Sequence, residues 1–169
     1  MVVPPPYQTT GSLPRSVGRS RLLDEIAESK LPLSCDDHFI KPDGILPADP
    51  SPTKLGALAH FKIRMLQSEI HHRLYSPSQK LLGIPSQDWY TSILQRLSSW
   101  RQSNPPSSGF MNQTWFDLNW YNTRILLYRP APNCPSPDRA ALKHALTAAS
   151  GVMRTFKEMY RRGGINYSD

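Results

Sequence analysis

Apart from Pro137, which opens the last of them, none of the chain's 17 prolines falls inside four stretches where apolar residues recur at helical spacing. Proline inside a helix costs about 3 kcal/mol, because it lacks an N–H donor and its ring meets the preceding turn. The prolines therefore fence the chain into four helices joined by bends. Nothing between them reads as a convincing strand. The expected class is all-α, an irregular multi-helix array.

In the first stretch Leu55, Ala59, Ile63, Leu66, Ile70 and Leu74 step by three or four residues, so they share one helical face. Leu58, Phe61 and Met65 widen it; Lys62, Arg64, Glu69 and Arg73 face away; Ser76-Pro77 stops the helix. The second helix is expected from Ser86, as N-cap, to Gln102, with Asp88 in its first turn and Trp89, Ile93, Leu97 and Trp100 buried. Asn104 to Gly109 then reads as a loop. The third spans Asn112 to Tyr128, with a stripe of Trp115, Leu118, Tyr121, Ile125 and Tyr128, and is apolar enough to be central. In the fourth, Ser136-Pro137-Asp138 reads as cap, first helical residue and first-turn carboxylate. Leu142, Ala145, Ala149, Val152, Phe156 and Met159 are its expected buried stripe, with Arg161 and Arg162 in the last turn and Gly163-Gly164 as the stop.

The first 52 residues are different. Residues 1–20, with three consecutive prolines, cannot bury enough apolar surface to offset ordering entropy and read as a disordered N-terminal segment. Residues 21–52 read as a short helix on Leu22, Leu23, Ile26 and Ala27, followed by a Pro-rich linker.

The charge of +7 admits a nucleic-acid partner. The cations are scattered, however, with only Arg15, Arg19 and Arg21 loosely grouped, so solvated polar faces are the preferred reading. No apolar run approaches the ~18 residues of a membrane span, and the start lacks the basic and apolar regions of a signal peptide. The expected compartment is inside the cell, with no membrane partner. Cys35 and Cys134 stand in unlike contexts; two free thiols are expected rather than a disulfide, and neither has a second ligand at zinc spacing.

Asp36-Asp37-His38 reads as a solvated acidic loop rather than a metal site, since adjacent side chains rarely point at one ion. His71 and His72 are about 100° apart on a helix and do not chelate together; His60 and His144 read as surface or boundary residues. Cys134 with His144 would be a nucleophile and base only if something activated the thiol, and nothing nearby does so. Trp115, Trp120, Tyr121 and Tyr128 either line a small-molecule pocket or are large core residues, and the core reading is preferred. Arg129 reads as satisfying free carbonyls at a helix end rather than as a partner contact. Ser51-Pro52, Ser76-Pro77 and Ser136-Pro137 serve as turns or caps before they serve as phosphorylation sites. No catalytic, cofactor, metal or nucleic-acid-binding residue is assigned, and no enzyme activity is expected.

Several segments nonetheless carry a likeness: Leu31-Pro32-Leu33-Ser34-Cys35-Asp36-Asp37, His60 to Ile70 with Leu74-Tyr75, Trp100-Arg101, Leu127-Tyr128-Arg129-Pro130 followed by Ala148-Ala149, and Gly164-Ile165-Asn166-Tyr167. In this order they resemble the middle homology (regulatory) region of fungal binuclear zinc-cluster transcription factors, over about residues 31–167. The resemblance implies that residues 53–169 are part of a helical transcription factor regulatory domain acting in the nucleus. Its implied partners are other proteins or the remaining parts of the parent factor, with a small-molecule effector also admitted.

The same resemblance marks what is missing. The parent family binds zinc through a cluster of six thiolates, and this chain has two cysteines. No cofactor and no specific DNA binding are therefore expected of it. The family's upstream helices have no counterpart in residues 1–30. The resulting expectation is a fragment of a larger helical regulatory domain, involved in regulating transcription without its own DNA-binding module. The alternative is a small helical interaction or scaffold protein with no transcription role.

Overall fold

The computed structural model of the chain describes residues 31–103 and 112–161. The expectations of disorder over residues 1–20, of a helix on Leu22 to Ala27, of a loop from Asn104 to Gly109 and of a stop at Gly163-Gly164, together with Arg162 and the Gly164 to Tyr167 segment, fall outside the described residues.

Four helices carry the architecture: α1 (Pro52–Tyr75), α2 (Gln87–Gln102), α3 (Gln113–Tyr128) and α4 (Arg139–Arg161). Among the described residues the fold is essentially all-α, with a short ribbon and an isolated bridge between Ala131 and Cys134. A two-stranded antiparallel ribbon, β1 (Ile40–Lys41) and β2 (Gly44–Ile45), follows a 3-10 turn at Asp37–Phe39. Sequence reading took 32–52 as irregular. Both strands are exposed and only two residues long, so they leave too little pattern to read.

The helix ends follow local chemistry. Ser51 stands at the N-cap of α1 with Pro52 in the first turn, where its missing N–H is no loss. Ser86 Oγ accepts from the Trp89 amide (3.3 Å), capping α2 as expected, and Asn112 Oδ1 accepts from the Trp115 amide (3.0 Å), capping α3. At α4 the expectation needs correction. The helix starts two residues later than read from Ser136-Pro137, and its cap is Asp138, whose Oδ1 accepts from the Ala141 amide at 2.7 Å. A carboxylate there meets both the free amides and the positive helix end, which favours it over a hydroxyl further upstream. Between α1 and α2, a second 3-10 turn (Pro77–Leu82) ends at Gly83, whose φ of 68° is cheap only for glycine.

α3 touches all three other helices. The core joins Ile63, Leu66, Ile70 and Leu74 of α1, Ile93, Leu97 and Trp100 of α2, and Phe116, Leu127 and Tyr128 of α3. The first two stripes are as read, except that Leu55 and Trp89 are only half-buried. The other two are corrected. On α3 the buried line is Phe116, Thr123, Leu127 and Tyr128, because neighbours on three sides shift the burial axis off the aromatic stripe. On α4 it is Ala148, Gly151 and Thr155, small residues that let the helix lie close against α3, while Leu142 and Phe156 face outward.

Candidate functional site

Three of the segments that carry the family likeness, at Tyr75, Trp100-Arg101 and Arg129, fasten helices together. Trp100 donates from Nε1 to the Ala59 carbonyl of α1 at 2.7 Å, and its ring meets Phe116 of α3 edge-on. Arg101 pairs with Asp117 of α3 at 2.6 Å and lies over the Trp120 ring. One dipeptide at the end of α2 thereby grips both neighbours.

A second fastener joins the end of α1 to the elbow after α3. Tyr75 donates from its hydroxyl to the Leu126 carbonyl at 2.9 Å and accepts from Arg129 Nε at 2.7 Å, with the guanidinium also over its ring. Arg129 therefore does not satisfy free carbonyls, as read from sequence; it holds Tyr75. The buried Asn133 completes the grip. Its side-chain amide donates to the Arg73 and Ser76 carbonyls, and its backbone amide to the Leu74 carbonyl. The last carbonyls of α1 are thus satisfied from a segment far along the chain. A third link is Thr123, fully buried, accepting from Gln67 Nε2 (2.8 Å) and donating to the Asn119 carbonyl (2.7 Å).

The four aromatics considered for a pocket go to four different places. Trp115 packs on His60, Trp120 lies under the Arg101 and Arg124 guanidiniums, Tyr121 meets Gly151, and Tyr128 stacks between Tyr90 and His144. At Gly151 a methyl group would overlap the Tyr121 ring, so this glycine sets how closely α4 approaches α3.

Tyr128 lines a cavity. With Tyr90, Cys134, Asp138, His144 and Pro85 it lines a space of about 340 Å³ where the elbow meets α2 and α4. Burial raises both tyrosine hydroxyls above their ordinary range, so both are neutral donors near neutral pH. The structure does bring Cys134 and His144 to one cavity, but it does not make them a nucleophile and base. The His144 partners are the Tyr128 ring and Arg124, which donates to Nδ1 at 3.4 Å. Asp138 is engaged as the helix cap. What the arrangement offers chemically is aromatic faces with a few polar atoms, suited to binding.

The remaining candidates are likewise placed by contacts. Asp37 accepts from Lys54 at 2.8 Å and the His38 ring lies tilted against Phe39. His71 stacks on Tyr75, whereas His72 accepts from Gln79 at 3.0 Å. Burial, with Arg64 beside one and Arg129 and His72 beside the other, lowers the affinity of His60 and His71 for a proton. Among the described residues no group of three or more His, Cys, Asp or Glu is placed to hold a metal ion. Cys35 is buried and Cys134 half-buried, both free, and two thiols in separate segments do not fit a six-thiolate zinc cluster. No helix among the described residues is long and apolar enough to cross a membrane.

Sequence reading missed one surface. Leu146, Met153 and Tyr160 of α4 are about 70% exposed, and Leu142 and Phe156 are 45% exposed. The signal was available: Leu142, Leu146, Ala149, Met153, Phe156 and Tyr160 step by four, three, four, three and four. This is a second apolar stripe beside the small-residue one.

Known proteins bear on this geometry. The chain is 28% identical over 159 residues to the pyrimidine pathway regulatory protein 1 of Saccharomyces cerevisiae, a match covering 86% of this chain and 18% of that protein. It is 25% identical, with the same two coverages, to the positive regulator of purine utilization of Emericella nidulans. The chain thus spans under a fifth of the length of these curated relatives. No family model matches it, and no solved structure does. Its homologues are fungal transcription regulators, in agreement with the likeness carried by its motifs.

Proposed function

We propose that this chain is a helical portion of a regulatory domain in a fungal transcription regulator, acting in the nucleus. The observation that carries the reading is the homology over 86% of the chain to a fungal pathway regulator. It is supported by the cross-helix contacts that Tyr75, Trp100-Arg101 and Arg129, all in likeness-bearing segments, make in this fold. The chain's role is regulatory rather than DNA-reading, since its two thiols cannot build the zinc cluster of the parent family. Its partners are other proteins or other parts of the same factor. The cavity between Tyr90, Tyr128 and His144 is the place suited to a small flat effector, whose faces would stack on the rings.

The test is made in cells that express the protein. Tagging it and deleting the codons for residues 53–161 should place the tagged protein in the nucleus and change transcript levels of a limited gene set. A protein found outside the nucleus, with transcripts unchanged by the deletion, would remove the reading in favour of a helical scaffold with no transcription role.

A further inference from the structure

The exposed stripe of α4 has a border with a single charge sign. The helix carries Arg139, Lys143, Arg154, Lys157 and Arg161, against one acid, Glu158. At 100° per residue all five cations lie on the same side of the stripe, about 60° to 120° from its centre. The opposite side of the stripe leads into the contact with α3. Three sectors result: small residues against α3, an apolar seam in solvent, and a cationic edge along the seam. The ion pairs Lys54 with Asp37, Arg96 with Glu69 and Arg101 with Asp117 use none of the five, so among the described residues none of these cations is tied up in an ion pair; Glu158 is the one acid beside them on the helix. A shallow groove runs along Leu146, Met153, Phe156 and Tyr160, with Arg154 and Lys157 in its wall.

The shape selects the class of partner. A seam stepping alternately by four and three residues is the spacing that another helix fills with knobs in holes. Its width is that of a coiled-coil seam, much narrower than the half-cylinder an interfacial membrane helix immerses, and α3 occupies the face that would have to widen it. From Leu142 to Tyr160 it runs about 27 Å, five turns of helix. A nucleic-acid backbone would use the cations but leave the apolar residues without a partner. We infer that the seam of α4 docks an amphipathic helix of a partner protein segment whose apolar stripe is bordered by Asp or Glu on the side facing Arg139, Lys143, Arg154, Lys157 and Arg161. The inference concerns the surface and does not rest on the transcriptional reading.

The probe is a pair of synthetic peptides of three heptads, with Leu at both seam positions and the flanking positions all Glu in one and all Lys in the other. Binding to the full chain is read by fluorescence anisotropy, alongside sedimentation of the chain alone and flotation with anionic vesicles. The expected result is binding of the Glu peptide on the order of tenfold tighter than the Lys peptide, weakening with salt. Leu146→Glu with Met153→Glu should abolish it. Arg154→Glu with Lys157→Glu, both exposed and without recorded ion pairs, should reverse the preference. The inference is overturned if neither peptide binds or both bind equally. It is also overturned if the chain dimerises through the seam or if vesicles, and not the peptide, are retained.

Discussion

At Gly151 two general effects oppose each other. Replacing a helical glycine by alanine ordinarily stabilises by about 1 kcal/mol, by limiting the unfolded chain. Here the added methyl overlaps the Tyr121 ring, and overpacking costs about 1–3 kcal/mol. The clash should win, so Gly151→Ala is expected to lower the urea midpoint. In a Tyr121→Ala background the same change should cost less or become stabilising, a coupling that a double-mutant cycle measures. Equal effects in both backgrounds would mean that the close approach is not held at this residue. The glycine could be seen in the sequence, but its reason could not, because Tyr121 lies thirty positions earlier and local spacing does not encode that meeting. The same holds for Arg129. Its place at a helix end was legible from Pro130; its grip on Tyr75, 54 residues away, was not.

At the scale of elements, the periodicity located all four helices, and Ser86 and Asn112 announced two of their starts. What it could not rank was two apolar faces on one helix. On α4 the larger side chains pointed to the wrong face, because close packing selected alanine and glycine for the contact. The α1–α3 contact carries a pH dependence of defined sign. His60 lies in it beside Trp115, with Nδ1 buried and unpartnered, and burial depresses its proton affinity below the ordinary value of 6.5. The unfolded chain then binds the proton more readily, so stability is fully present above about pH 6.5 and declines as pH falls through the window below it. His71 acts in the same direction. The urea midpoint should fall between about pH 7.5 and pH 5, and His60→Phe should flatten that slope. An unchanged slope in the variant would show that His60 keeps its ordinary titration.

For the whole molecule, the all-α class and the likeness to fungal regulators were both legible, the first from proline fencing and the second from ordered short motifs. The cavity was not, because it depends on how helices turn toward one another; the spacing of the α4 seam stood in the sequence, but which face of α4 stays in solvent did not. The molecule that results is a set of helices fastened at Trp100-Arg101 and at Tyr75, Arg129 and Asn133, with the apolar stripe of α4 and its cationic border exposed. The central claim is that this unit modulates transcription. The most direct measurement fuses the chain to an unrelated DNA-binding module and reads a reporter carrying that module's sites. Output should depart from that of the module alone, and return to it when Leu146→Glu and Met153→Glu block the seam. Output indistinguishable from the module alone, with the fusion present in the nucleus at equal abundance, would contradict the account.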